Sequence, residues 1–456
     1  MFAFLKPAPP AANKVPAGKV AGKYRQYRIR VFLSIYLGYA GYYIVRSNFS
    51  VASPYLKKNY GFTTADIGLI TLCLAVSYGI SKFVMGMLSD KSNPRFYIAT
   101  GLLASAFLNL IFGATASKGV MMLLMVLMGI FQGMGAPAAH KSLSNWWAEK
   151  ERGSFVSMWN TSHNLGSGTV APIVGFALAA FGPHMWKSIF FVPSVISIIM
   201  AVLVIVLGAD TPESVGLPPI QEFKADEYKG EKIDKSKLQS HSDLSIPQIF
   251  IRYVASNPYI WVLALSNAFV YIVRYGVLNW IPIYLNEAKG FSLAQARSSF
   301  ALFEYAAIPG TILIGWMSDK FFHGKRAGIA AALMALLGVI FLGYWASSSL
   351  WAIDIEIALM GIFVYGPQML IAALTIDLAP RFAIGSTTGF VGLFGYIFGE
   401  ATASYGIGAL VGKNGWDKGF GIIAISAVLG IVCFLILTRA ERYKKVEAPE
   451  AGVVED

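Results

Sequence analysis

Gly86-Met87-Leu88-Ser89-Asp90-Lys91 and Gly315-Trp316-Met317-Ser318-Asp319-Lys320 share one pattern, Gly-x-x-Ser-Asp-Lys, and the second stretch begins 229 residues after the first. A second pair occurs in the same order. Tyr43-Ile44-Val45-Arg46 and Tyr271-Ile272-Val273-Arg274 are 228 residues apart. Two ordered matches at nearly one spacing mark an internal duplication. Each Gly-x-x-Ser-Asp-Lys stretch closes a long apolar run, so the duplicated unit is a set of apolar segments.

A helix needs roughly 20 apolar residues to cross a bilayer. Twelve runs of that kind can be read. Six lie in the first half, near 29–53, 64–88, 96–116, 119–141, 153–181 and 187–208. Six lie in the second, near 258–286, 293–318, 326–347, 351–376, 385–411 and 416–438. The expected organisation is an N-terminal tail (1–28), a six-helix bundle (29–208), a polar linker (209–257), a second bundle (258–438) and a C-terminal tail (439–456). The linker carries one surface helix near 245–255.

Composition agrees. Charged residues are 14% of the chain, against about a quarter in soluble proteins. The net charge of +12 sits at segment ends, so it reads as membrane orientation and not as a nucleic-acid surface. Lys6, Lys14, Lys19, Lys23, Arg25 and Arg28, the loop residues Lys91, Arg95, Lys320, Lys325 and Arg326, and the tail from Arg439 to Lys445 fall on one side of a twelve-span chain. That side is expected to be cytoplasmic, with both termini inside; Lys57 and Lys58 lie opposite. Two cysteines, both in apolar runs, make neither a disulfide framework nor a metal site. No metal and no cofactor is expected, and no cleavable signal peptide is visible.

The chemistry sits in intramembrane charges, which are costly at the bilayer centre, at least about 2.5 kcal/mol each. Arg46 lies deep in the first span, and Arg274 is its repeat-mate in the seventh. A pseudo-twofold axis brings the two to one depth, facing each other across a central cavity. The plain structural reading pairs each with a buried carboxylate. Glu304 and Glu400 are the only carboxylates deep in the spans, and neither arginine has an acid one turn away. Two guanidinium groups at one level predict an anionic ligand, and their planar forks suit phosphate.

The neighbours fit that ligand. Tyr39, Tyr42 and Tyr43 precede Arg46 by seven, four and three residues, so they share its face. Tyr78 and Lys82 share a face of span 2, although Lys82 is also placed to snorkel toward the membrane surface. Asn160, His163, Asn164 and Ser167 form a polar stripe on span 5, and Tyr396, Glu400 and Ser404 form one on span 11. Single polar residues of this kind also serve simply to bond neighbouring helices. His163 has an ordinary pKa of about 6.5, near the second pKa of a phosphate monoester, about 6. It can therefore share protonation changes with one. Close glycine pairs such as Gly166 and Gly168 suit close helix approach.

Six spans repeated in parallel resemble the major facilitator superfamily, and the Gly-x-x-Ser-Asp-Lys stretches resemble its signature loop. That loop assigns Asp90, Lys91, Arg95, Asp319, Lys320 and Arg326 to gating. Several further stretches resemble the organophosphate:phosphate antiporter family. They are Lys6-Pro7-Ala8-Pro9, Gly38–Tyr43 running to Arg46-Ser47-Asn48-Phe49, Tyr78–Lys82, Phe131–Gly135, Trp159-Asn160 with His163-Asn164, Gly216–Pro219, Arg274-Tyr275-Gly276, Glu304-Tyr305 with Ile308–Gly310, and Tyr365-Gly366-Pro367. The resemblance implies an all-α membrane protein of twelve transmembrane helices in two pseudo-symmetric halves. It is expected to be a monomer in the bacterial inner membrane, surrounded by lipid. The substrates implied are an organic phosphate and inorganic phosphate. Glycerol 3-phosphate, phosphoglycerate and hexose 6-phosphate are the organic candidates.

By the same resemblance, Arg46 and Arg274 bind phosphate and His163 assists. Lys82, Tyr39, Tyr42, Tyr43, Tyr78, Asn160, Tyr365 and Tyr396 line the pore. A few members of the family are membrane sensors, which gives the alternative reading. No metal-ligand cluster, nucleophile motif or phosphate loop points to an enzyme.

Three departures bear on the substrate. Glycerol-3-phosphate members carry Lys after the first arginine and Asp five residues after the second; here these are Ser47 and Asn279. They carry Trp where this chain has Ala136, which enlarges the cavity. Glu400 replaces a small residue, and a carboxylate there accepts hydrogen bonds from sugar hydroxyls.

Overall fold

The computed structural model describes residues 3–90, 92–224, 248, 250–321, 326–379 and 383–447. Helices account for the elements in order, and no strand occurs among the described residues. They are α1 (Val20–Tyr60), α2 (Thr64–Asp90), α3 (Pro94–Ala114), α4 (Lys118–Gln132), α5 (Gly135–Trp146), α6 (Glu149–Phe181), α7 (Ser188–Leu207) and the short α8 (Ile220–Phe223). After a π-helical turn at Phe250–Ala255 come α9 (Pro258–Leu278), α10 (Ile281–Glu287), α11 (Leu293–Phe321), α12 (Arg326–Ala346) and α13 (Leu350–Leu378). The last are α14 (Ile384–Phe394), α15 (Ile407–Asn414) and α16 (Trp416–Glu447). This is a multi-pass, all-α membrane protein.

Each of the twelve apolar runs falls on a helix, and three of those helices are interrupted. The fourth run breaks between Gln132 and Gly135, the seventh between Leu278 and Ile281, and the eleventh becomes π-helical at Gly395–Glu400 and Thr402–Gly406. Irregular backbone at membrane depth is tolerated where protein or a cavity surrounds it. The helix ends follow local chemistry. The Asn93 side chain accepts from the Arg95 amide with Pro94 in the first turn, and Asn257 does the same for Tyr259 ahead of α9. Gly61 ends α1 in the left-handed region at φ 68°, which an L side chain resists.

The described chain groups into two compact units. The first contains parts of 1–233 and 280–308; the second contains parts of 234–279 and 309–456. Within unit 1, α1 packs on α3, α6 and α7, and α2 packs on α4. Within unit 2, α9 packs on α16, and α12 on α13 and α16.

Unit 1 orders more chain than the apolar periodicity marks. Helix α1 starts at Val20, ahead of residue 29, and residues 3–19 lie against the stretch that follows α7. Ala8 N–H donates to Asp210 Oδ2 at 2.7 Å, Ala11 to the Glu213 carbonyl at 2.9 Å and Val15 to the Gly216 carbonyl at 2.8 Å. Tyr24 stacks on Phe223 with centroids 4.0 Å apart. Gly216 is required there. Its φ is +78°, and a Cβ would come within 2.4 Å of the Asn13 carbonyl.

Asp210 is buried at this junction, and burial raises its pKa above the ordinary value, against the Ala8 hydrogen bond and Lys141. A raised carboxyl pKa gives stability that is full below the unfolded value, about 3.9, and is lost as pH rises through the folded one. Asp210→Asn keeps an oxygen for Ala8. It is expected to melt at or above the wild-type temperature at neutral pH, with the gap closing toward pH 4. A neutral-pH melt below wild type would mean that attraction to Lys141 outweighs burial.

Candidate functional site

In unit 1 the site is built on α1, α2 and α6. Arg46 is only 7% exposed, and its guanidinium lies 4.6 Å from the Tyr78 ring centroid and 5.5 Å from that of Tyr43. Such contacts hold a cation by the negative faces of the rings. Tyr43 also meets the His163 ring at 5.2 Å. Tyr39 packs on Tyr43 at 5.4 Å and on Trp159 at 4.6 Å. Arg46, His163, Tyr39, Tyr43 and Tyr78 are therefore brought together as the helical spacing predicts.

Tyr42 is placed differently. Its hydroxyl donates to the Ile98 carbonyl at 2.9 Å, and Gln132 Nε2 donates to its own carbonyl at 3.1 Å. Four-residue spacing put Tyr42 on the Arg46 face, but the side chain is taken up by the packing of α1 on α3. Asn160 is half-buried, one turn before Asn164 on α6. Asn164 Nδ2 donates to Glu304 Oε2 at 2.8 Å, so both side chains are held in a buried pair within unit 1.

Lys82 is half-buried on α2 and within electrostatic reach of His140 on α5. The sequence reading passed over His140, whose ring packs edge-on against Trp159 at 4.9 Å. An ionisable residue inside an apolar run was the available signal.

In unit 2 the repeat-mate has a similar setting. Arg274 is 3% exposed. It donates to the Tyr365 hydroxyl and, through Nη1, to Gln368 Oε1 at 3.1 Å. Its guanidinium lies 4.4 Å from the Tyr365 ring and 4.8 Å from Tyr275. Gln368 was also missed, although it stands three residues after Tyr365 and thus on its face. Tyr396 packs edge-on against Tyr271 at 5.2 Å. Tyr396 and Glu400 are both buried in the π-helical turn Gly395–Glu400.

The two departures beside the arginines have become helix-to-helix bonds. Ser167 Oγ donates to Ser47 Oγ at 2.7 Å in unit 1, and Asn279 Nδ2 donates to Ser404 Oγ at 3.2 Å in unit 2. Ala136 is buried in α5. Of the signature residues, Arg95 stands in the first turn of α3 with its guanidinium 4.9 Å from the Phe96 ring, and Arg326 opens α12. Lys91 and the side chains of Asp90, Asp319 and Lys320 lie outside the described residues.

Each unit thus holds a buried arginine against tyrosine rings. Among the described residues no group of three His, Cys, Asp or Glu is placed to hold a metal ion.

The model of the Major Facilitator Superfamily matches residues 35–403, and the chain belongs to that superfamily. The glycerol-3-phosphate transporter of Bacillus subtilis (strain 168) is 43% identical over 96% of this chain and 98% of its own. The phosphoglycerate transporter protein of Salmonella typhimurium (strain LT2) is 41% identical over 93% and 91%. These relatives place the chain, within the superfamily, in the organophosphate:phosphate antiporter family. It is a transport protein and not an enzyme. Among solved structures, a bacterial homologue of the human lysosomal transporter Spinster, inward-facing and unoccupied, matches with a TM-score of 0.71. The identity is 18%, over 93% of this chain and 99% of that one, a likeness of fold alone.

Proposed function

We propose that the chain exchanges a small organic phosphate for inorganic phosphate by alternating access. The observation that carries this reading is the pair of repeat-related arginines, one in each unit. Each is buried and held against tyrosine rings, which keeps its guanidinium in place at membrane depth. A phosphate dianion has enough oxygens to accept from both forks. Bound phosphate cancels the repulsion between two desolvated cations, and this lowers the barrier to switching only in the loaded carrier. His163 and Lys82 support the anion, and Glu400 accepts from hydroxyls of the organic part. The names of the relatives, which specify organic phosphates, support the class of substrate. The carrier acts as a monomer in the bacterial inner membrane with both termini cytoplasmic, as the distribution of basic residues favours.

The test uses purified protein in liposomes loaded with labelled phosphate. Efflux on external addition of glycerol 3-phosphate, 3-phosphoglycerate or glucose 6-phosphate is the expected result. Their ranking shows whether Ala136 and Glu400 open the site to sugars. Tight binding of an organic phosphate with no exchange of any kind would replace the antiporter by a membrane sensor.

A further inference from the structure

At the N-terminal end of α1 a cavity of about 350 Å³ opens between α1, the start of α6 and α8. Its α1 wall is one stripe at helical spacing, with Arg25 and Arg28 followed by Ile29, Phe32 and Leu33. Ile29 and Leu33 are large apolar side chains standing 54% and 43% exposed. The opposite wall is aromatic and includes Trp147 and Phe155.

The depth of this groove can be read from α7. That helix, Ser188–Leu207, is 20 residues long with a mean hydropathy of 3.0, matched to the roughly 30 Å hydrocarbon core. Its C-terminal turn is tied to α1, because Arg30 donates to the Val206 carbonyl and Ser34 to the Val204 carbonyl. The edge of the hydrocarbon therefore lies level with residues 30–34 of α1. Arg25 stands five residues before Arg30, about 7.5 Å further out, in the headgroup layer. Ile29, Phe32 and Leu33 lie at the edge of the acyl layer.

The two arginines differ in state. Arg28 pairs with Glu151, and its guanidinium lies 5.2 Å from the Trp147 ring and 5.7 Å from Phe155, so it is fixed in the wall. Arg25 is exposed and has no ion pair among the described residues. A fixed, ion-paired arginine beside an open one leaves one net positive charge above an apolar slot, which matches a group with one net negative charge and an acyl chain.

We propose that this groove is a binding site for an anionic glycerophospholipid, such as phosphatidylglycerol, of the leaflet at the N-terminal end of α1. The phosphodiester sits against Arg25 and Arg28, and an acyl chain lies along Ile29, Phe32 and Leu33. Basic pockets at this level attract anionic headgroups. A zwitterionic lipid offers the same phosphodiester and chains, but its own ammonium already balances the charge. The site is separate from the Arg46 and Arg274 settings and does not depend on the substrate.

Native mass spectrometry of the full-length protein, released from micelles holding equal phosphatidylglycerol and phosphatidylcholine with identical chains, tests the assignment. Wild type is expected to retain phosphatidylglycerol preferentially. Arg25→Gln is expected to lower the ratio of the two lipids about fivefold, the effect of one interfacial basic residue, while Arg25→Lys keeps it. Arg25 is exposed, so neither change threatens the fold. An unchanged ratio in Arg25→Gln, or no preference in wild type, would overturn the proposal. Displacement of the lipid by millimolar inorganic phosphate would assign the cavity to a free anion instead. Absence of any retained lipid would leave the groove to another segment of the chain.

Discussion

Arg46→Lys and Arg274→Lys are each expected to lower phosphate exchange at least about a hundredfold while leaving the protein folded. The argument is geometric. Lysine keeps the charge, but it is a point donor on a flexible stem. It loses both the fork and the guanidinium–ring contacts of Arg46 with Tyr78 and of Arg274 with Tyr365, at 4.6 Å and 4.4 Å. Each hydrogen bond to a charged partner contributes about 1.5–3 kcal/mol, and a fork loses two at once. Arg274→Lys also leaves Gln368 and Tyr365 without their present donor. The measurement is phosphate self-exchange in liposomes, with a melting curve as the folding control. Exchange at the wild-type rate in either lysine variant would remove the arginines from the site.

Gly166→Leu is expected to abolish the folded protein. Helix α6 crosses α1 here so closely that a Cβ on Gly166 would stand 2.2 Å from the Ala40 carbonyl oxygen and 2.8 Å from its carbon. The obstacle is backbone, so no rotamer change relieves it. Overpacking costs about 1–3 kcal/mol even where side chains can move, and here α1 itself must shift, carrying Tyr39, Tyr43 and Arg46 with it. Gly175→Leu, on the same helix but with nothing within 4 Å of its Cβ, is the control and is expected to purify normally. Monodisperse yield in detergent reads both. A well-folded Gly166→Leu protein would show that the crossing is looser than described.

The apolar runs and the repeat made the fold class legible because a bilayer demands long, closed helices, and length and hydropathy are properties of the sequence. The arginine pair was legible for the same reason, since a charge at membrane depth is rare and conspicuous. His140 and Gln368 were less conspicuous. Each looks like a helix-bonding polar residue until its contact with Trp159 or Arg274 is seen. Tyr42 shows what spacing leaves open. Its spacing placed it with Arg46, and only the approach of α3 turns its hydroxyl to Ile98.

What the sequence determined by itself was the number of apolar spans, their duplication and the placing of two arginines inside them. Tertiary structure alone decided which tyrosines hold the arginines, where Ser47 and Asn279 spend their hydrogen bonds, and how residues 3–19 fold against the stretch after α7. Those outcomes depend on contacts between residues as many as 202 positions apart, as with Ala8 and Asp210. Helical periodicity carries no record of such contacts, because it reports which side chains share a face and not which neighbour that face will meet.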